Sequence, residues 1–297
     1  MDAITFVNGQ QTHCLNAHDR GLAYGDGVFE TIAIKHGQVQ LWQAHQQRLI
    51  KGLLTLGIFV NKASAAGFIK TIITDIQQAF LLYGHQQAVL KITVTRGLGG
   101  RGYLAPSTPQ PSRIIAITPW PSGRSQLAET GVNVRICQHN WSHNAALAGL
   151  KHLNRLDQVM ARNEWEDEHI HEGIMLNLHG NVISGVMSNV FIESNGGLIT
   201  PKLDQCGIAG VMAKEICAIA KQNNIAVEHK NIPLKTFINT GSPFLSNSLN
   251  GIWPINTLEP HAGFSHPTHW VKSTLIGFLQ AAVATRLSAQ PAVSELC

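Results

Sequence analysis

A chain of 297 residues can bury a large core, and this length suggests about two domains. Its 44% hydrophobic and 13% charged residues exclude a disordered protein, and a formal net charge of +4 gives no case for nucleic-acid or acidic-lipid binding. No apolar run approaches the ~18 residues that cross a bilayer, no secretory signal is recognisable, and no CxxC pair occurs, so we predict a cytoplasmic protein without membrane contact.

The N-terminal part is predicted to alternate strands and helices. Asn8-Gly9 and His36-Gly37 indicate hairpin turns. Alternating apolar residues indicate strands, and apolar residues three or four apart indicate helices. The predicted elements are strands Ile4–Val7, Val28–Ile34 and Val39–Trp42, helices His45–Gly57 and Ile69–Phe80, and a half-buried strand at Leu90–Thr95.

Two prolines and a glycine at 118–125 predict an interdomain linker. We therefore expect a smaller N-terminal α+β domain over 1–117 and a larger C-terminal α+β domain over 126–297. The elements predicted in the second domain are helices Leu153–Trp165 and Ala209–Ala220 and strands Gly173–Leu178 and Ser188–Glu193.

Lys151 is the first candidate for chemistry, because it lies in the apolar segment Ala148–Leu153. Desolvation there would favour a neutral amine that can form a Schiff base. An ordinary solvated lysine is the alternative interpretation, and the residue type by itself does not decide between them.

Three separate segments could bind a phosphate. Arg48 offers a guanidinium, Gly207–Gly210 precedes a predicted helix N-terminus, and Ser248 offers a hydroxyl. The glycine-rich segment Arg96–Tyr103 lacks the ending of a P-loop, and Arg101 within it suits a carboxylate substrate or a solvated hairpin equally well. His139 and His143 have the spacing of metal ligands but lie in a predicted loop, and we predict no metal site.

The segment Arg20–Thr31 (RGLAYGDGVFET) resembles the N-terminal signature of fold-type IV pyridoxal-phosphate enzymes, the D-amino-acid aminotransferase-like family. This family includes branched-chain and D-amino-acid aminotransferases and aminodeoxychorismate lyases. The similarity continues in order through nearly the whole chain, at His45–Leu49, Lys151, Ser188–Phe191, Gly207–Met212 and Ser246–Ile255. The segments Thr95–Tyr103 and Lys151–Val159 resemble the lyases more than the aminotransferases.

The resemblance implies a carbon–oxygen lyase that eliminates pyruvate from 4-amino-4-deoxychorismate to give 4-aminobenzoate for folate synthesis. It implies that Lys151 binds pyridoxal 5'-phosphate and transfers protons, and that the active site lies near the domain junction of a homodimer. The implied phosphate ligands are Arg48, the backbone N–H groups of Ile208 and Ala209, and Ser248. Arg101 and Tyr24 are the substrate-binding candidates.

One position departs from the family pattern. The family usually has a glutamate facing the pyridine nitrogen, and Ser184 stands where that glutamate is expected, while Glu193 lies beyond the next strand. A serine stabilises a protonated ring less than a carboxylate does, which we expect to harm transamination more than elimination.

Two other functions remain open from the sequence. One is a D-amino-acid or branched-chain aminotransferase. The other is a catalytically silent protein on the same fold that binds pyridoxal phosphate or serves as an interaction module; a silent protein without a Schiff base at Lys151 would be consistent with Ser184.

Overall fold

The computed structural model describes residues 3–123, 126–261 and 265–297. The strands are β1 Ile4–Val7, β2 Gln10–Gln11, β3 Gly27–Lys35, β4 Gln38–Val39, β5 Ala88–Thr95, β6 Arg113–Pro119, β7 Val132–Ile136, β8 Glu172–Leu176, β9 Asn181–Gly185, β10 Asn189–Ser194, β11 Gly197–Pro201, β12 Val227–Lys230, β13 Ile232–Pro233, β14 Ser242–Asn247, β15 Gly251–Leu258 and β16 Thr268–His269. The helices are α1 Arg20–Tyr24, α2 Trp42–Thr55, α3 Lys62–Tyr83, α4 Leu127–Thr130, α5 Leu156–Arg162, α6 Val211–Gln222, α7 Leu234–Asn239 and α8 Thr274–Leu287, followed by a 3-10 turn at Val293–Glu295.

The chain folds into two units, and the first comprises residues 1–121, 150–154 and 289–297. Its antiparallel sheet has the order β2-β1-β6-β5-β3-β4. Helices α2 and α3 cover this sheet, because their apolar faces bury Leu49, Leu53, Ile69, Ile72 and Ile76 against the strands. The β1–β2 turn has positive φ at both Asn8 and Gly9, as a type I′ hairpin requires.

The second unit comprises residues 122–149 and 155–288 and is built on a larger mixed sheet. The path β10-β14-β15-β7-β8-β9 returns to its start, because β9 also pairs with β10 through Ser184 and Asn189. These six strands therefore form a closed ring of pairings, with parallel pairs at β15–β7 and β7–β8. Ser184 lies at the position where the ring closes.

The observed division differs from the predicted domain boundaries in two short segments. Residues 150–154 and 289–297 belong to the first unit, whereas the prediction placed all of 126–297 in the second. Backbone pairing explains the first segment, since the Phe29 N–H donates to the Lys151 carbonyl at 2.9 Å. At the predicted linker, β6 runs to Pro119, and Arg124 and Ser125 lie outside the described residues.

The predicted strands and helices of the first unit are found, with shifted ends. The strand predicted over Val39–Trp42 is shorter, because α2 already begins at Trp42. The helix predicted over Leu153–Trp165 is too long, because the observed helix covers only Leu156–Arg162, and the apolar residues whose spacing suggested it are largely exposed. The Leu156 and Met160 side chains are 76% and 55% exposed. Within the described ranges, no helix has both the length and the apolarity needed to span a bilayer.

Candidate active site

Lys151 lies in a short extended segment beside β3. The Phe29 N–H donates to the Lys151 carbonyl at 2.9 Å, and the Leu153 N–H donates to the Gly27 carbonyl at 3.0 Å. The Lys151 Nζ stands 4.3 Å from the centre of the Phe29 ring. Backbone pairing and an aromatic face therefore both fix this lysine against one strand.

The residue after Phe29 provides a buried carboxylate. Glu30 is 1% exposed, and its Oε1 accepts from Arg48 Nε at 2.8 Å while its Oε2 accepts from Arg48 Nη2. Burial alone would raise the pKa of Glu30, but the hydrogen bonds and charge of Arg48, together with His45, lower that pKa to about 2. The planar guanidinium of Arg48 is therefore oriented by two parallel hydrogen bonds.

His45 completes this cluster one turn before Arg48 on α2. Its Nδ1 lies 2.6 Å from Glu30 Oε2, and its ring is fully buried. Burial lowers the pKa of His45, and the charges of Arg48 and Lys151 lower it further against the opposing effect of Glu30. The neutral ring then carries its proton on Nδ1, facing Glu30, and Nε2 is left as a buried acceptor without a partner in the described structure.

Glu30 and His45 belong to the motifs Arg20–Thr31 and His45–Leu49, but no role was predicted for either residue. The usable signal was the period of β3, where Glu30 shares the buried face with Val28 and Ile32. A carboxylate in such a row requires a cationic partner, and Arg48 is the arginine that the buried face of α2 brings opposite to it.

The glycine-rich segment that contains Arg101 is held by Arg20 of α1. Arg20 is 4% exposed, and its guanidinium donates to the carbonyls of Gly102 at 3.1 Å and Tyr103 at 3.0 Å. The Tyr24 ring lies 5.4 Å from the Tyr103 ring. Arg101 itself is exposed. The structure thus associates the segments of Arg101 and Tyr24, and their substrate-binding roles stay predictions.

In the second unit, Ser184 lies on β9 and is 3% exposed. Its Oγ accepts a hydrogen bond of 2.9 Å from the Trp141 indole N–H. Trp141 is also buried, at 5% exposure, and the Arg155 guanidinium carbon lies 5.6 Å from its ring centre. Ser184 was predicted as a site residue. Trp141 was not, because its segment was predicted only to be a loop.

A buried glutamate shapes the turn after β9. The carboxylate of Glu172 accepts from the backbone N–H groups of Gly173, Val186 and Met187, each at 3.1 Å, and from Ser188 Oγ at 3.0 Å. Glu172 is 1% exposed, and these four donors use the lone-pair sites of its two oxygens. The carboxylate therefore serves to fix the turn between Ser184 and Asn189.

The predicted phosphate segment Gly207–Gly210 does precede a helix. Helix α6 begins at Val211, and its N-cap Gly210 provides no side-chain cap, so the first-turn N–H groups can receive an anion. Asn189 Nδ2 donates to the Ile208 carbonyl at 2.8 Å. The Ala209 N–H was predicted to bind the phosphate, but in the structure it donates to the Gly149 carbonyl at 3.1 Å.

The Ser248 segment follows β14 as a tight turn. Asn247 Oδ1 accepts from the N–H groups of Leu249 at 3.0 Å and Asn250 at 2.8 Å, which fixes the backbone around Ser248. Ser246 is 1% exposed, and its Oγ has no hydrogen-bond partner in the described part of the chain. The Ser246 hydroxyl, near the end of β14, is therefore available to a ligand.

These residues fit a phosphate-bearing aldehyde cofactor in their chemistry. Within the first unit, Lys151 offers an amine and Arg48 an oriented guanidinium. Within the second unit, α6 has an uncapped N-terminus and Ser246 has a buried hydroxyl without a partner in the described residues. Of the histidines once considered as metal ligands, His139 Nε2 contacts Asp157 Oδ1 at 3.0 Å. Across the residues that the structure describes, no group of three or more His, Cys, Asp or Glu could hold a metal ion.

The family model for class IV amino-transferases matches residues 27–258, which is most of the chain, and the chain belongs to this family. The aminodeoxychorismate lyase of Vibrio harveyi is 32% identical over 255 residues, which are 86% of this chain and 91% of that protein. The crystal structure of 4-amino-4-deoxychorismate lyase from Pseudomonas aeruginosa has 34% identity and a TM-score of 0.85, and the match covers 95% of this chain and 98% of that one. The branched-chain amino acid aminotransferase of Escherichia coli has the same fold at 20% identity, with a TM-score of 0.79 over 96% of this chain and 94% of its own. The predicted family and α+β fold are confirmed.

Proposed function

We propose that this protein is a pyridoxal-phosphate-dependent aminodeoxychorismate lyase, which converts 4-amino-4-deoxychorismate to 4-aminobenzoate and pyruvate. The observation that carries the proposal is the similarity to two lyases over nearly the whole chain, at 32% and 34% identity, against 20% for a branched-chain aminotransferase of the same fold. The substrate is thus a small molecule that carries an amino group and carboxylates.

The proposed roles follow from the chemistry of each residue. Lys151 binds the cofactor covalently, and its amine then moves the proton at the substrate carbon that bears the amino group. Arg48, the N–H group of Ile208 and Ser248 bind the phosphate, whereas the Ala209 N–H donates to the Gly149 carbonyl. Glu30 orients Arg48, and His45 holds the Glu30 carboxylate in turn. Arg101 and Tyr24 bind the substrate.

The reaction balances without an external oxidant or reductant. When bound, pyridoxal phosphate withdraws electrons from the carbon beside the substrate amine and makes its proton removable. Loss of that proton and cleavage of the carbon–oxygen bond to the enolpyruvyl group make the substrate ring aromatic. The released enolpyruvate gains a proton to become pyruvate, and the amino group stays on 4-aminobenzoate.

We also propose a cytoplasmic homodimer. This assignment is supported by the resemblance to the fold-type IV family, in which homodimers are typical. Sedimentation of the purified protein at several concentrations tests it, and a monomer throughout would contradict it.

Borohydride reduction of the holoenzyme, followed by peptide mapping, tests the cofactor assignment. We expect the reduced cofactor on Lys151, and Lys151→Ala is expected to abolish both the label and 4-aminobenzoate release. Lys91→Ala is the matched control, because the Lys91 Nζ lies 5.6 Å from the centre of the same Phe29 ring. A label elsewhere, or equal losses in both variants, would contradict the role of Lys151.

A product assay separates the lyase from the aminotransferases. The purified holoenzyme is given 4-amino-4-deoxychorismate, or an amino acid with a 2-oxo acid acceptor. We expect 4-aminobenzoate and pyruvate in equal amounts from the first reaction. Faster production of a new 2-oxo acid in the second reaction would instead favour an aminotransferase.

A further inference from the structure

The hydrogen bond between Trp141 and Ser184 has a fixed direction. An indole N–H can only donate, so Ser184 Oγ is the acceptor in the 2.9 Å contact. Both side chains are buried, at 5% and 3% exposure, so water does not compete for this bond. The hydroxyl hydrogen of Ser184 must therefore point away from Trp141.

That hydrogen needs an acceptor that the described residues do not supply. Within residues 3–123, 126–261 and 265–297, no acceptor for it is found. A buried donor without a partner destabilises the folded protein, and a bound acceptor would remove that cost. Ser184 is thus prepared to donate one hydrogen bond to a ligand.

The nearest buried carboxylate does not replace the glutamate that the family usually has at this position. The two oxygens of Glu172 are occupied by the four donors of the turn after β9. Glu193 accepts from the Gly196 N–H at 3.1 Å, in the turn at the far end of β10. The Glu172 oxygens are thus used within the turn, and Glu193 lies at the opposite end of β10 from the residue that pairs with Ser184.

The charge near Trp141 has the opposite sign. Arg155 stands 5.6 Å from the ring centre of Trp141. Burial lowers the pKa of Arg155 to about 10, although the Asp157 charge opposes this, and the guanidinium remains charged at neutral pH. A cation on the indole strengthens its N–H as a donor and disfavours a second positive charge nearby.

We propose that Trp141 is a positioning residue that fixes Ser184 as a hydrogen-bond donor to the pyridine nitrogen of the cofactor, which is therefore bound without a proton. This inference rests on the proposed function. A protonated nitrogen could donate to the second lone pair of Ser184, but the hydroxyl hydrogen would then stay buried without an acceptor. The positive charge on the protonated ring nitrogen would also have no carboxylate to pair with at Ser184. When Ser184 donates to an unprotonated ring nitrogen, the Trp141 N–H, the Ser184 hydroxyl hydrogen and the nitrogen lone pair each have a partner.

The protonation state can be read directly from the ¹⁵N NMR shift of the ring nitrogen in holoenzyme that carries ¹⁵N-labelled pyridoxal phosphate. We expect the shift of an unprotonated pyridine in the unchanged protein and of a protonated one in Ser184→Glu. Trp141→Phe removes the indole N–H that fixes the direction of the Ser184 hydroxyl. Ser184 Oγ can then accept from the ring nitrogen, so the ¹⁵N signal is expected to move towards the protonated form at the same pH.

Trp165→Phe is the matched control. Trp165 belongs to the same apolar cluster as Trp141 and is 6% exposed, but its indole N–H donates to the Ile170 carbonyl at 3.1 Å. The ¹⁵N signal of the ring nitrogen in Trp165→Phe should match that of the unchanged protein. A protonated nitrogen in the unchanged holoenzyme would overturn this inference and leave the proposed function standing. Equal ¹⁵N shifts in the two Trp variants would do the same. Failure of the cofactor to attach to Lys151 would overturn the proposed function as well.

Discussion

Glu30→Gln should test whether the buried carboxylate stabilises the first unit. The pKa of Glu30 lies near 2 rather than 4.5, because Arg48 and His45 outweigh the cost of burial. At about 1.4 kcal/mol for each pKa unit, this difference corresponds to about 3 kcal/mol of folding free energy at neutral pH. Gln keeps the shape but leaves Arg48 without a countercharge, so a loss of about 3 kcal/mol is expected.

The pH dependence provides the second measurement. A carboxylate whose folded-state pKa is depressed contributes its full stability above its unfolded pKa and loses it as the pH falls towards the folded value. The free energy of unfolding in urea should therefore fall between about pH 4.5 and pH 2 in the unchanged protein, and this fall should be smaller in Glu30→Gln.

Glu228→Gln is the control, since Glu228 pairs with Lys230 at 2.7 Å but its side chain is 60% exposed. An exposed pair of this kind contributes about 0–1 kcal/mol. Equal losses in the two variants, or an unchanged pH dependence in Glu30→Gln, would refute the assignment of a strong buried pair.

Three further changes give separate tests. Ser184→Glu should raise side transamination relative to 4-aminobenzoate release, because a carboxylate favours a protonated ring; unchanged or lower transamination would contradict the proposed bias. Deleting residues 289–297 should cost about 3 kcal/mol or more in urea unfolding, because Val293 and Leu296 are buried; deletion of the exposed Cys297 alone should cost little. Arg20→Lys should accelerate tryptic cleavage after Arg101, because it removes hydrogen bonds to the carbonyls of 102–104; equal cleavage rates would show that Arg20 does not hold this segment.

The sequence predicted elements where local pattern and tertiary burial agree. The Asn8-Gly9 hairpin and the strand Ala88–Thr95 follow from turn chemistry and alternation alone. The segment around Lys151 could not be predicted in this way. Its pairing with β3 joins residues more than a hundred positions apart, and the apolar residues after it imitate the period of a helix.

The site residues divide along the same line. Lys151, Arg48 and Ser184 could be predicted as candidates, because each lies in a motif of the family and is either reactive or a departure from the usual residue. Trp141 was missed because its role depends on one hydrogen bond to a residue 43 positions away. The direction of that bond is a property of the fold and is invisible in either segment of sequence.

The register of β3 determines how Lys151 and Arg48 are arranged in the first unit. The backbone N–H of Phe29 binds the Lys151 carbonyl, while the side chain of the next residue, Glu30, binds Arg48. Because neighbouring side chains on a strand point to opposite faces, a slip of one residue would move Glu30 away from α2 and bring Phe29 or Thr31, neither of which carries a charge, opposite the guanidinium. Val28 and Ile32 lie on the same buried face as Glu30, so the slip would also expose apolar area. The hydrophobic core thus fixes the register, and the register in turn fixes the arrangement of the amine and the guanidinium.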